Sequence, residues 1–143
     1  MGRIIYGETE RLMAWAGPAN DAGEIPADTV AIGLEIGGEL VGVVYYNDFT
    51  TANCNMHVVS SRRGKWLTRG FLAAAFAYPF VQLKLRRVTG LVKSRNFEAM
   101  TMNLRLGFQV EGRMIEAAED DDVVVLGMLR RNCFWITEEH RHG

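Results

Sequence analysis

The sequence predicts a mixed α+β fold, in which a mainly antiparallel sheet contains one central parallel βαβ crossover. Two observations lead to this prediction. β-branched runs flank Gly37-Gly38, and this dipeptide supplies the positive φ angles that the turn of a tight hairpin requires. Further along, a long segment with helical spacing is enclosed by two strand-like runs. A strand, a helix and a strand in this order favour a crossover that joins parallel strands.

The remaining elements follow in chain order from apolar spacing and turn residues. Strands are predicted at residues 3–6, 29–36, 39–47, 53–60, 87–92, 108–117 and 123–129. Helices are predicted at residues 8–16, at residues 65–83, and from Ser94 or Asn96 to about Leu106. Pro79 should end or kink the second helix, and Gly107 fits the left-handed position after the third. Residues 20–28 are expected to form a surface loop, and residues 119–122 an acidic turn.

Length and composition limit the classes of function. At 143 residues with 48% hydrophobic side chains, the chain is expected to form a single domain with its own core. Its formal net charge of -1 provides no basic field, which argues against nucleic acid as the main partner.

The cysteines and the apolar segments indicate the cellular compartment of the protein. Cys54 and Cys133 stand far apart, without the neighbouring ligands of a zinc site, so neither a metal nor a disulfide framework is predicted. No apolar stretch reaches the roughly 20 residues of a membrane span, and no signal peptide is recognised. We therefore expect a cytoplasmic protein without a membrane partner.

A basic turn is the first candidate for binding chemistry. Residues 60–65 join a predicted strand to a helix amino terminus and include Arg62, Arg63 and Lys65. Free N–H groups and the helix dipole favour an anion there, so the turn could cradle a pyrophosphate. The alternative is a basic turn that is merely solvated.

A longer motif resembles a known superfamily. Asn96, Ala99, Gly107 and Phe108 reproduce the N-x-x-A-(x)7-G-F pattern of GNAT (Gcn5-related N-acetyltransferase) proteins. Glu111-Gly112-Arg113 resembles the strand opening of the branch that acetylates ribosomal proteins. The resemblance covers residues 29–135. It implies the GNAT acyl-CoA N-acyltransferase fold, with acetyl-CoA as co-substrate and a primary amine of a protein or small molecule as acceptor.

The phosphate turn departs from the GNAT pattern R-G-K-G-x-G at two positions. Arg63, Gly64 and Lys65 match, whereas Trp66 and Thr68 replace the two later glycines, a variant that resembles bacteriophage members. The resemblance also implies that pantetheine lies between two splayed strands, and Gly90 independently indicates a close approach there. The alternative for Gly90 is a β-bulge. The implied cofactor-binding residues are Val58, Val59, Arg62, Arg63, Gly64, Lys65, Trp66, Thr68 and Asn96.

Two positions carry the expectations about catalysis. The family often takes a proton from a Tyr where this chain has Asn103, which cannot supply one, so another group or water serves, or no transfer occurs. His57 is the best-placed general base, because strand alternation puts it on the more polar face near the cleft. The alternative is a partly buried His bonded to a backbone carbonyl. Weaker candidates for the base are Tyr45, Tyr46, Asp48 and Glu35.

Other functional classes remain open from the sequence. A catalytically inactive module of the same fold, binding CoA or a protein, is suggested by Asn103 and by the two missing glycines. A nucleic-acid role would use the basic residues Arg62, Arg63, Lys65, Arg69, Lys84, Arg86 and Arg87. Cys54 is interpreted as a small buried hydrophobe, and core packing is predicted for Met100, Met102, Met114 and Met128. The acceptor is not encoded by a recognisable motif, and a homodimer is left open.

Overall fold

A computed structural model describes residues 2–17, 25–61 and 67–142. The strands in these ranges are β1 (Gly2–Ile5), β2 (Val30–Ile36), β3 (Glu39–Asn47), β4 (Asn53–Ser60), β5 (Arg87–Lys93), β6 (Gln109–Met114) and β7 (Val123–Leu129). They form one sheet in the order β1-β2-β3-β4-β5-β7-β6. Every neighbouring pair is antiparallel except β4 and β5, which are parallel. The predicted α+β class and the single parallel pair are therefore confirmed.

Four α-helices accompany this sheet within the described ranges. They are α1 (Thr9–Ala16), α2 (Arg69–Ala77), α3 (Phe97–Leu106) and α4 (Glu138–His142). The sequence pattern does not predict α4 or the 3₁₀ turn at Arg130–Asn132, because both are too short to show an apolar period. None of the helices described combines the length and the apolar character that a membrane span needs.

The hairpin between β2 and β3 forms as predicted. Gly37 and Gly38 have φ angles of 60° and 82°, and the flanking Ile36 and Glu39 pair directly. Both turn residues lie in the left-handed region that glycine adopts without steric cost. On its other side, β3 pairs with β4, which is also antiparallel to it.

The crossover helix is shorter at its start than predicted. Thr68 is extended, with φ -74° and ψ 155°, and its hydroxyl accepts a hydrogen bond from the Phe71 N–H at 3.2 Å. Because this is the geometry of an N-cap, α2 begins at Arg69 and not at residue 65. Pro79 lies in a π-helical turn, Tyr78–Gln82, that follows α2 directly. The predicted end of the regular helix near Pro79 is confirmed.

The segment after β5 forms a capped helix and a hairpin. Asn96 caps α3, since its side-chain oxygen accepts from the Ala99 N–H at 3.1 Å, and Gly107 ends the helix with φ 110°. Both predicted helix signals are confirmed. The next strand is shorter than predicted and ends at Met114, because Glu116 has a φ of 56° and donates its N–H to Asp122.

The core has two parts on opposite faces of the sheet. Successive residues of a strand point to opposite faces, so Val43 and Tyr45 pack against α1, whereas Val44 and Tyr46 pack on the side of α2. On the α2 side the Tyr46 hydroxyl donates to the Ala75 carbonyl at 2.5 Å, which satisfies its polar group inside the core. Both faces of the central strands are covered.

Candidate active site

A cleft opens where β4 and β5 separate. The two strands pair at only three positions, and the last of these joins Asn55 to Thr89. Beyond it β4 continues to Ser60 and β5 to Lys93 without pairing to each other. The resulting cleft has a volume of about 560 Å³ and is lined by the diverging strand ends, one side of α3 and the β6–β7 hairpin. This is the carboxyl end of the parallel pair, where ligands of α/β crossovers bind.

Main-chain groups of β4 form one wall of the cleft. Val58 and Val59 pair with Val44 and Val43 of β3, but on the β5 side no strand in the described ranges pairs with them. Both residues line the cleft. An extended ligand between the strands can therefore take the place of the missing strand neighbour, as in β-strand addition. This arrangement agrees with the prediction for Val58 and Val59.

Gly90 forms part of the opposite wall, next to α3. A side-chain carbon at Gly90 would lie 3.4 Å from Asn103 Oδ1 and 3.8 Å from the Phe108 ring. The pairing of β5 with β7 runs through Gly90 and Leu126 without a register shift. The β-bulge alternative is therefore wrong. A side-chain carbon here would make only ordinary contacts with Asn103 and Phe108, so the packing does not by itself require glycine, and a close approach of a ligand stays a prediction.

His57 lies inside the cleft beside an aromatic partner. It pairs in register with Tyr45, and the two rings stack with centroids 4.6 Å apart and an interplanar angle of 16°. Burial lowers the pKa of His57, and the negative charge of Asp48 opposes this effect. The described residues provide no hydrogen bond to its ring, so the alternative of a His bonded to a backbone carbonyl is not observed. A neutral imidazole in this position can accept a proton.

Tyr45 contributes a polar group whose importance the sequence does not show. Its side chain is only 1% exposed, and its hydroxyl has no hydrogen-bond partner among the described residues. Because no fully buried side-chain oxygen in those residues lacks a partner, this hydroxyl keeps some accessible surface, and Tyr45 is one of the residues that line the cleft. Burial raises the pKa of Tyr45 to about 12, so it remains a hydrogen-bond donor at neutral pH.

Asn103 projects from α3 towards the same cleft. Its Nδ2 donates to the Ala99 carbonyl at 2.8 Å, and its Oδ1 faces Gly90. An amide in this position can orient a ligand through hydrogen bonds, but it cannot supply a proton at neutral pH. The structure thus places Asn103 at the cleft, as the motif predicts, without giving it the chemistry of an acid.

The predicted phosphate turn falls mostly outside the described residues, which do not include Arg62, Arg63, Gly64, Lys65 and Trp66. Thr68 is described, and its hydroxyl is used in capping α2. Asn96 both caps α3 and lines the cleft. The amino terminus of α3 is therefore at the edge of the cleft, which places its free N–H groups near any ligand there.

The weaker candidates Glu35, Tyr46 and Asp48 lie in different environments, and none of the three lines the cleft as His57 does. Glu35 forms an ion pair with Arg11 at 2.9 Å and does not line the cleft. Tyr46 is committed to the core through its bond to Ala75. Asp48 accepts a hydrogen bond from the Asn55 side chain at 3.0 Å and acts on His57 only through its charge.

The sulfur-containing side chains follow the predictions in part. Cys54 is fully buried, and burial raises the pKa of its thiol to about 12, which confirms its interpretation as a small hydrophobe. Met100 and Met128 pack in or against the core as predicted. Met102 packs there too but also lines the cleft. The prediction for Met114 is wrong, since this side chain is 42% exposed at the cleft.

Hydrogen bonds and an ion pair connect the acidic turn at residues 119–122 to neighbouring segments. Asp121 accepts hydrogen bonds from the Ser94 hydroxyl at 2.6 Å and the Arg95 N–H at 2.8 Å, and these bonds lower its pKa to about 2. Asp122 binds the Arg113 guanidinium at 2.7 Å. In the described ranges, His, Cys, Asp and Glu side chains form no group of three or more that could hold a metal ion.

The strand order, the parallel crossover and the splay between β4 and β5 together define the GNAT acyltransferase fold. Comparison with solved structures supports this assignment. At 16% identity, 90% of the chain matches 95% of a structure of mutant forms of the spermidine/spermine N-acetyltransferase SpeG from Vibrio cholerae, with a TM-score of 0.72.

Two further structures of that protein give the same result. A second mutant form, of the spermidine N-acetyltransferase SpeG, matches at 16% identity over 90% of this chain and 93% of the other, with a TM-score of 0.72. The complex with manganese ions matches at 16% identity over 90% and 92%, with a TM-score of 0.70. No protein-family model and no curated protein sequence matches the chain. The likeness establishes the fold, and it gives no support to the ribosomal-protein branch or to a bacteriophage member.

Proposed function

We propose that this protein is an N-acetyltransferase that moves an acetyl group from acetyl-CoA to a primary amine of a protein or small molecule. The observation that carries this proposal is the splay of β4 and β5, which leaves Val58 and Val59 without a strand neighbour on the wall of the cleft. The pantetheine arm carries amide groups that can pair with such main-chain groups. The similar fold of an enzyme named as an acetyltransferase adds to this support.

The side chains of the cleft suit direct transfer to an amine. His57 takes the proton that the nitrogen loses as its lone pair forms the bond to the thioester carbonyl carbon. The carbon–sulfur bond breaks, and its electron pair leaves with the sulfur. Because a thiol has a pKa near 8.5, the sulfur can leave as a thiolate without the acid that Asn103 cannot provide. The protonated His57 can then return the proton to sulfur through solvent.

Tyr45 is the proposed hydrogen-bond donor of the reaction. Its hydroxyl has no hydrogen-bond partner among the described residues, its ring stacks on His57 at the cleft, and its high pKa keeps the proton on oxygen. A donor in a low-dielectric cleft stabilises negative charge that develops on a reacting oxygen. We assign the CoA phosphates to the turn containing Arg62, Arg63, Gly64 and Lys65, flanked by Trp66 and Thr68, with Asn96 at the edge of the cleft.

The acceptor is proposed only as a class, a primary amine. Spermidine, which the names of the similar structures give as their substrate, is a reasonable first compound to test. The two free, buried thiols of Cys54 and Cys133 are compatible with a reducing cytoplasm.

An assay of thiol release tests the proposal. Acetyl-CoA is incubated with spermidine, a lysine-containing peptide or a peptide with a free amino terminus, and the acetylated product is identified by mass spectrometry. We expect one amine to raise thiol release well above the rate without acceptor, and the His57→Gln variant to lose this increase. Acetyl-CoA binding without transfer to any amine would support the inactive binding module. Absence of binding would contradict both readings.

A further inference from the structure

A second cavity lies at the other end of β5. It has a volume of about 460 Å³, and five of the eight residues that line it are arginines: Arg86, Arg87, Arg130, Arg131 and Arg141. The remaining three are Ala52, Leu129 and His142. Arginine is therefore the most frequent residue around this cavity, in a chain whose formal net charge is -1.

Only two of these arginines are neutralised by carboxylates within the described part of the chain. Arg87 binds Glu111 with two nitrogens, at 2.8 and 3.1 Å, and Arg141 binds Glu138 at 2.9 Å. Within the described residues, Arg86, Arg130 and Arg131 have neither a carboxylate partner nor a side-chain hydrogen bond. Three of the arginines around the cavity therefore have no carboxylate in the described part of the chain to offset their charge.

This concentration contrasts with the rest of the described chain. Outside the cavity, four described arginines form ion pairs with Asp or Glu, namely Arg3, Arg11, Arg95 and Arg113. Arg69 lies over the ring of Trp135. Of the four described arginines that have no acidic or aromatic neighbour of this kind, only Arg105 lies outside the cavity.

Backbone hydrogen bonds connect the segments that carry several of these arginines. The Arg130 N–H donates to the Arg86 carbonyl at 2.8 Å, and the N–H groups of Arg86 and Arg87 donate to the Ala52 carbonyl at 3.0 and 3.1 Å. The chain segments that carry Arg86, Arg87 and Arg130 are therefore fixed against one another. A fixed array loses less conformational entropy when it binds a ligand.

We propose that this cavity is a binding site for a small anion that carries two or more phosphate groups. The planar guanidinium forms paired hydrogen bonds with phosphate oxygens, and three uncompensated charges favour a ligand with several negative charges. The cavity is bordered by the start of β5, whereas the candidate active site lies at Gly90 and beyond. At about 3.3 Å per residue, the two sites are ~10–20 Å apart along the strand.

Calorimetric titration with inorganic pyrophosphate and tripolyphosphate tests this site, and it does not depend on the proposed acetyltransferase activity. The key variant is Arg130→Gln with Arg131→Gln, and a charge-matched control combines Arg3→Gln with Arg105→Gln. We expect the key variant to weaken tripolyphosphate binding by a factor of 10 or more and the control by less than a factor of 2. Arg86→Gln supplies a second test should the double variant fail to fold.

Three outcomes would overturn the proposal. Equal losses in the key variant and in the control would show a general charge effect. A loss with Arg63→Ala, but none with the key variant, would place the anion at the predicted phosphate turn. A short oligonucleotide that binds far more tightly than tripolyphosphate, with a steep salt dependence, would replace the small anion by nucleic acid.

Discussion

At the scale of single residues, the pairing of His57 with Tyr45 places the proposed base beside the proposed donor. β-sheet register places the two side chains opposite each other, and their rings stack at 4.6 Å. Desolvation acts on both groups in the sense that keeps them neutral, because it lowers the pKa of the imidazole and raises that of the phenol. A neutral base and a neutral donor can therefore coexist at physiological pH.

The His57→Gln variant should retain acetyl-CoA affinity and lose turnover by ~10²-fold or more, the usual contribution of a positioned general base. Activity of the unmutated protein should rise with pH through an ionisation below the ordinary histidine value, because burial lowers the pKa of His57. Calorimetry and pH-rate profiles measure these effects. If the variant keeps the turnover and the pH dependence of the unmutated protein, the base is Asp48 or bulk water and not His57.

The neighbouring tyrosines provide a matched pair of variants. Tyr45→Phe removes a hydroxyl that lacks a partner among the described residues, so turnover should fall by about 10²-fold, as for loss of one oxyanion donor, while thermal stability is retained. Tyr46→Phe removes the bond to Ala75 and should lower stability by about 1 kcal/mol with little change in turnover. Thermal melts and steady-state kinetics separate the two effects. The opposite pattern would make Tyr45 a packing residue.

At the scale of elements, the site depends on where neighbouring segments stop pairing. β4 and β5 separate after three pairs, and α3 lies beside Gly90 at one side of the gap. The β6–β7 hairpin closes another side and is held to the start of α3 by Asp121. The cleft is thus bordered by β4 and by the consecutive elements β5, α3 and the β6–β7 hairpin.

Arg63→Ala should weaken CoA binding more than Arg113→Ala does. Arg63 lies in the turn proposed to hold the phosphates, whereas the Arg113 guanidinium is engaged by Asp122 at 2.7 Å and by the Ser94 hydroxyl. Dissociation constants for CoA and for dephospho-CoA measure the difference. Equal effects of the two substitutions would place the phosphate site elsewhere.

The link between the hairpin and α3 should be sensitive to acid. The folded pKa of Asp121 is about 2, below its ordinary value of 3.8, so its contribution to stability is present above the ordinary value and is lost as the pH falls through about 2. Asp121→Asn should therefore lower the melting temperature at pH 7, and the difference from the unmutated protein should shrink towards pH 2. A difference independent of pH would assign the effect to packing.

At the scale of the whole molecule, charge is unevenly distributed around a nearly neutral chain. The acidic turn lies beside the cleft, where it is paired with Lys93, Arg95 and Arg113. The uncompensated arginines lie at the opposite end of β5. Net charge alone therefore conceals a local cationic surface, which the composition could not show.

Acetyl-CoA should stabilise the whole fold against heat. A ligand present at ~100 times its dissociation constant adds about 2.7 kcal/mol to the stability of the folded state. Differential scanning fluorimetry with acetyl-CoA, with CoA and without ligand measures the shift. The absence of any shift at millimolar acetyl-CoA would contradict binding in the cleft.

Local signals in the sequence were sufficient for most of the fold. The Gly37-Gly38 turn, the Asn96 cap and the Gly107 helix end depend on the conformational preferences of one or two residues, and each forms as predicted. The GNAT fold was implied by the resemblance that the N-x-x-A-(x)7-G-F motif carries, and in the structure Asn96 and Gly107 of this motif bound α3. The helix start at Arg69 was missed, since the apolar period extends past the cap at Thr68.

Only the tertiary structure decided which side chains share the cleft. Tyr45 and Tyr46 are adjacent aromatic residues of one strand, and no local pattern distinguishes a hydroxyl bonded in the core from one without a partner among the described residues. The difference arises because alternate residues face α1 and α2, and the Tyr46 hydroxyl on the α2 side bonds to the Ala75 carbonyl. The arginine cavity likewise joins residues from β5, β7 and α4, whose proximity depends on the order of strands in the sheet.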